Sequence, residues 1–259
     1  MSEVAQSQPI DAKILSHAER RISFMAEMQK QDEEKPMEAP FVPKNLTAFQ
    51  VDKFTALFEK YFDVDEDGIF TEKDLESLNE KIMNFAGWPK DDARALKILE
   101  YHRDLYACLL MEINQDAILD EQRKTSITLT DWLKMWDHLM RHSLALDHLP
   151  SWVHVLPYIL FTFMDKGDDQ HVTKQRLFEF YTNFMLLDDK RAKVVVEHAW
   201  SQMTGNGDYK LSLDVFDMCF SNFLFGKSYY GPGMFVLGTF PECAKLKPFE
   251  FKIPVDQEN

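Results

Sequence analysis

Cysteine is scarce: Cys108, Cys219 and Cys243 are far apart, odd in number and form no CxxC pair. That excludes a disulfide framework and points to reduced thiols in a cytoplasmic protein. Glycine and proline are also few, at 9 and 11 residues, which sets collagen-like and low-complexity chains aside. Basic residues are in deficit, 29 against 43 acidic, for a net charge of −14. A surface of that sign repels nucleic acid and anionic membranes, so neither is expected as a partner, and it suits either a soluble protein in general or one that binds cations. Long apolar runs are missing too. The longest, residues 149–164, is broken by Pro150, Ser151, His154 and Pro157, so no membrane span is expected. The first residues carry no basic stretch leading into an apolar one, so no secretory signal is expected, and the Asn45-Leu46-Thr47 sequon carries no meaning.

Apolar bulk is plentiful. Of 259 residues 45% are hydrophobic, and Phe alone occurs 21 times, enough to build a core without disulfides. Residues 1–45 read as an extension, with a helical pattern from Ile10 to Lys30 and a linker marked by Pro36, Pro40 and Pro43. From Thr47 the pattern turns regular. Phe54, Leu57, Phe58, Tyr61 and Phe62 recur at helical spacing, as do Leu75, Leu78, Ile82, Met83 and Phe85. Further helices are expected from about Asp91 to Ile113 and from Thr130. Helix, polar loop and helix recur four times, with loop starts at 63, 120, 165 and 204. Strand patterns are almost absent beyond short points such as Ile69-Phe70, so the expected fold class is all-α.

The first loop, DVDEDGIFTEKD, begins with D-x-[DN]-x-[DN]-G, the signature of a calcium-binding EF-hand. Ca²⁺ takes six to eight oxygens. Asp63, Asp65 and Asp67 fill positions 1, 3 and 5, Gly68 the sharp turn at 6, and Ile69 the carbonyl at 7. Thr71 stands at 9 and Asp74 at 12. Asp74 is shorter than the usual Glu, which predicts one-oxygen ligation, weaker Ca²⁺ binding and tolerance of six-coordinate Mg²⁺.

The apolar residue at position 8 aligns the other loops. Ile127 places the second at 120–131, with Asp120 and Asp131 at its ends but Gln122, Lys124 and Thr125 at 3, 5 and 6. Val172 places the third at 165–176, where Asp165 and Asp169 remain, Gly167 offers no ligand, Gln170 replaces the turn Gly, and Arg176 replaces the final acid. Leu211 places the fourth at 204–215, with Thr204, Asn206 and Asp208 but Tyr209 and Val215 at 6 and 12. All three are expected to be free of metal, and to keep their fold without it through Ile127, Val172, Leu211 and the helix-opening Trp132, Leu177 and Phe216.

Four hands at this spacing, TDWLKMW after the second loop and TGNGDYKLSLDVF in the fourth resemble the invertebrate sarcoplasmic calcium-binding proteins. The tail SNFLFGKSYYGPGMFVLGTF is similar to calexcitin within that group. The resemblance covers about residues 46–245. It implies two hand pairs in one globule, 46–145 and 146–225, with a tail 226–259 packed on the hands; the extension 1–45 falls outside it. It also implies a cytosolic calcium signal carrier or buffer, with a protein target as an open second partner, and no catalysis. With one intact loop, bulk buffering fits less well than a sensor or scaffold. The enzyme alternative is a small-molecule kinase of the juvenile hormone diol kinase type. It rests on Gly226-Lys227-Ser228, although the leading Gly of a phosphate loop is Ser221 here. His138 and His142, four apart, read as a solvated face rather than zinc ligands, and Met135, Met164 and Met203 as core.

Overall fold

From residue 47 on, each apolar repeat becomes a helix, and in most of them a polar side chain fixes where it starts. In this computed structural model residues 41–238 are described, other than 116, 118–122 and 144. The chain from Pro43 onward belongs to one unit, which is the subject here. The helical pattern at 10–30, Asp120, Gln122 and Cys243 lie outside the described residues.

Helix α1 (Ala48–Leu57) starts at a capping box of Thr47 and Gln50, and a π turn at Phe58–Phe62 carries it into the first loop. After strand β1 (Ile69–Phe70) the outgoing helix α2 (Glu72–Ala86) ends at Gly87. The second unit is α3 (Ala93–Ile113), β2 (Ile127–Thr128) and α4 (Leu129–His142). The third is α5 (Ser151–Met164) and the short α6 (Lys174–Glu179), which runs on as a π turn at Phe180–Phe184. The fourth is α7 (Asp189–Thr204) and α8 (Leu213–Phe225). Among the described residues no helix is long and apolar enough to cross a membrane.

The loops pair first with second and third with fourth, as the family resemblance implies, through their position-8 residues. Strands β1 and β2 are antiparallel, with Phe70 opposite Ile127. Val172 faces Leu211 in an isolated bridge, where the Val172 N–H donates to the Leu211 carbonyl at 2.9 Å. All four side chains are buried, as are Trp132, Leu177 and Phe216. Met135, Met164 and Met203 are buried too, whereas His138 and His142 are exposed.

The two pairs share one core. Phe85 on α2 meets Phe163 on α5 at 5.8 Å between ring centroids and Phe184 at 5.6 Å, both edge to face. Tyr61, two residues before the first loop, also reaches Phe184, at 6.3 Å. Truncating a buried Phe to Ala typically costs about 3–5 kcal/mol, so these rings weld the halves together. Midway along α1, fully buried Lys53 donates to the carbonyls of Phe223 and Gly226, which close the C-terminal end of α8. Burial brings its ammonium pKa down to about 7. Beyond α8 a 3₁₀ turn at Pro232–Phe235 lies directly on the helix. A Cβ on Gly233 would stand 2.1 Å from the Phe223 backbone nitrogen, so only glycine permits that approach.

Fully buried His102 on α3 joins both helices of the first hand. Its Nδ1–H donates to Asn79 Oδ1 at 2.6 Å, and its Nε2 accepts from the Tyr61 hydroxyl at 2.9 Å. Burial lowers its pKa from 6.5 to about 3. Between those limits the denatured chain binds a proton at this imidazole and the native chain does not. Stability from this group is therefore complete above pH 6.5 and falls as pH drops towards 3, by up to about 1.4 kcal/mol per pH unit. Replacing His102 with Gln should flatten the stability-versus-pH curve by one proton over that window. Denaturant titrations of both chains at a series of pH values would show this, and an unchanged slope would contradict it.

Candidate metal centre

The first loop is organised by its own first residue. Asp63 is 3% exposed, and its two oxygens accept the N–H groups of Asp67 at 3.1 Å and Gly68 at 2.9 Å. Burial pushes its pKa up. The two N–H groups oppose the rise, while the carboxylates of Asp67 and Asp74 add to it. Folding the chain back requires positive φ at Glu66, 60°, and at Gly68, 84°. A Cβ on Gly68 would meet nothing within 4 Å, so glycine is needed there for conformation and not for space. As a result carboxylate oxygens of Asp63, Asp65 and Asp67 lie within 4.8 Å of one another. Ile69 is held at position 7 by its pairing with Thr128, and its N–H donates to Asp67 Oδ1 at 2.8 Å. Lys73 reaches Asp65 at 3.1 Å, but its side chain is 77% exposed and such a pair contributes little.

Thr71 and Asp74 do different work from the other four. They form the capping box of α2. The Thr71 N–H and hydroxyl both donate to Asp74 Oδ2, at 3.0 and 2.6 Å, and Asp74 N–H donates back to Thr71. That leaves Oδ1 facing the loop, where it accepts the Asp65 N–H at 3.3 Å. The same arrangement recurs in every unit: position 9 is the N-cap of the outgoing helix, as Thr128, Thr173 and Ser212 show, and position 12 is its third residue. The sequence signal is the capping pattern of Ser or Thr followed three residues later by Asp, as at Thr71 and Asp74.

The degenerate loops differ from one another. In the second, Lys124 at position 5 forms an ion pair with Asp131 at position 12. Burial would raise the Asp131 pKa, but Lys124 and Thr128 outweigh it and hold the carboxyl below its ordinary value. The third repeats the first in detail. Asp165 accepts from the N–H groups of Asp169 at 3.2 Å and Gln170 at 2.8 Å, and φ is positive at Asp168 and Gln170, the counterparts of Glu66 and Gly68. Its Arg176 turns inward onto Asp165 and Asp169. In the fourth the positive φ values fall instead at Gly205, Asn206 and Gly207, and Thr204 bonds only locally, to Trp200 and Gly207.

The kinase alternative is not supported. Gly226-Lys227-Ser228 follow helix α8 where a phosphate loop follows a strand, and the Gly226 carbonyl is taken by Lys53. The Asn45 side chain of the sequon donates to Asp137 at 2.9 Å, which engages the amide that a glycan would need.

Three carboxylates this close repel one another when no cation is bound, by on the order of 1 kcal/mol per pair in water. Replacing Asp67 with Asn keeps an acceptor for the Ile69 N–H and removes one charge. The metal-free variant should melt a few degrees higher than the parent in chelator and low salt, and added salt should narrow the gap. Equal melting temperatures in low salt would contradict the repulsion.

No protein-family model matches this sequence, and no curated protein matches it. Solved structures do. A sarcoplasmic calcium-binding protein from amphioxus superposes with a TM-score of 0.59 at 18% identity, over 76% of this chain and all of that one. The calcium-loaded apo form of the coelenterazine-binding protein from Renilla muelleri superposes with a TM-score of 0.51 at 15% identity, over 77% of this chain and all of that one. At these identities the likeness is one of architecture: the chain has the four-hand EF-hand fold.

Proposed function

We propose that the chain is a cytosolic EF-hand protein that binds one Ca²⁺ in its first loop and acts as a calcium signal carrier, not as an enzyme. The observation that carries this reading is the convergence of Asp63, Asp65 and Asp67 within 4.8 Å around a glycine turn. These oxygens are the hard donors that a divalent cation of group 2 selects. The carbonyl of Ile69, the Thr71 hydroxyl through water, and Asp74 would complete the set. Because Thr71 engages Asp74 Oδ2, Asp74 has one oxygen left to offer. That fits six ligands and so admits Mg²⁺ at the same site. The named calcium-binding proteins of like fold support the reading.

A single site in a 30.4 kDa chain stores little calcium, which favours signalling over buffering. The shared core supplies a route. Ion binding draws Asp74 and the start of α2 towards the loop, and the far end of α2 carries Phe85 into the aromatic cluster of the second pair. With a net charge of −14, a protein target is a better match for this chain than nucleic acid.

Calorimetric titration of the metal-free chain should give one Ca²⁺ per molecule, and Asp63→Ala should abolish it. A stoichiometry of two, or binding retained by the variant, would refute the assignment. In the same experiment Asp74→Glu should tighten Ca²⁺ about tenfold and weaken competition by millimolar Mg²⁺, since the longer side chain can turn both oxygens to the ion, giving up the bonds from the Thr71 hydroxyl and N–H, while the residue 74 N–H still donates to Thr71 and caps the helix. Unchanged or reduced Ca²⁺ affinity would contradict this account of position 12.

A further inference from the structure

The third loop contains a positive charge of its own. The Arg176 guanidinium donates to Asp165 Oδ1 at 2.9 Å, to Asp169 Oδ2 at 2.6 Å and to the His171 carbonyl at 3.2 Å. Those are positions 1, 5 and 7, three of the positions whose oxygens surround the ion in a working loop. Position 3 is Gly167, and a Cβ there would stand 2.2 Å from the Arg176 guanidinium nitrogen. The missing ligand and the inserted arginine therefore fill one another's space. The backbone has kept the fold of the first loop down to the paired N–H groups on Asp165 and the positive φ at positions 4 and 6, although Gln170 replaces glycine at the second of these. A surface ion pair would demand none of this. The side chains of Asp165 and Arg176 are 6% and 20% exposed, and a carboxylate so buried requires a partner. The second loop repeats the device in simpler form, with Lys124 on Asp131.

We propose that Arg176 is the resident cation of the third loop. Its guanidinium takes the place of a divalent ion and holds the second pair in ion-loaded geometry at every calcium concentration. The loss of metal binding in this half is then an exchange of a dissociable cation for a tethered one. Calcium can switch the first pair alone, while the second stays a fixed partner against which the first moves.

The test is run on the full chain in the Asp63→Ala background and in chelator, so that the first loop contributes nothing. Arg176→Ala should lower the melting temperature by roughly 5–10 °C. Arg176→Gln, which keeps much of the stem and loses the charge, should also lower it, and covers the case in which the alanine variant misfolds. Guanidinium ion at tens of millimolar, far below denaturing levels, should restore part of the loss in Arg176→Ala and leave the parent unchanged. In the same background Gly167→Asp with Arg176→Glu should bind one Ca²⁺ per chain by calorimetry. Melting temperatures unaffected by either single change, or a folded double variant that takes up no calcium, would overturn the proposal. Calcium uptake by the parent background that Asp165→Ala abolishes would do so as well.

Discussion

A buried carboxylate at the head of a loop has to meet positive charge, and much of this molecule follows from how that demand is met. Asp63 and Asp165 occupy equivalent places, both nearly inaccessible and both receiving two backbone N–H groups from the turn they organise. Two neutral donors only partly replace the hydration a carboxylate loses. The third loop completes the requirement from within, through Arg176. Among the described residues the ion pair of the first loop is that of exposed Lys73, which touches Asp65 and not Asp63, so Asp63 retains a demand that a cation from solution can satisfy. The fourth avoids the demand, since Thr204 carries no charge and its loop turns through a different set of residues.

Position 12 shows why these solutions are interchangeable at little structural expense. Whatever stands there is the third residue of a helix whose N-cap is a Ser or Thr at position 9. The cap, the apolar residue at position 8 and the aromatic or aliphatic residue after position 12 build the hand. The ligand is an addition to that frame. Asp74, Asp131, Arg176 and Val215 are tolerated in turn because the helix start depends on the hydroxyl behind them and the core on Trp132, Leu177 and Phe216.

Those framing residues are also what the sequence discloses. Periodicity locates the helices, and Phe70, Ile127, Val172 and Leu211 at a common loop position align the loops, whose pairing the family resemblance implies and the strands show. The Asp63, Asp65 and Asp67 constellation was legible because its spacing is local. What escaped is long-range or chemically ambiguous. Lys53 reads as a polar-face residue of an amphipathic helix, and only the arrival of α8 170 residues later makes it a buried cap. His102 reads as one more polar residue on a long helix until Asn79 and Tyr61 close around it. Arg176 reads in the sequence as the loss of the final acid. Spacing alone does not show its turn onto Asp165 and Asp169, because that depends on the room left by Gly167 nine residues earlier.

The aromatic weld between the pairs then sets what a single ion can do. Were the halves separate, binding at the first loop would rearrange α1 and α2 and end there. Phe85 instead sits at the far end of α2 among Phe163, Phe180 and Phe184, and Tyr61 carries the incoming side of the same loop to Phe184 and to His102. Close-packed aromatic interiors yield by discrete rearrangement and not by gradual deformation. On the proposal that Arg176 fixes the second pair, that fixity is a mechanical advantage. If both halves could relax, displacement of α2 would be absorbed inside the core. Against an immobile partner the same displacement must appear at the surface, where a target could read it.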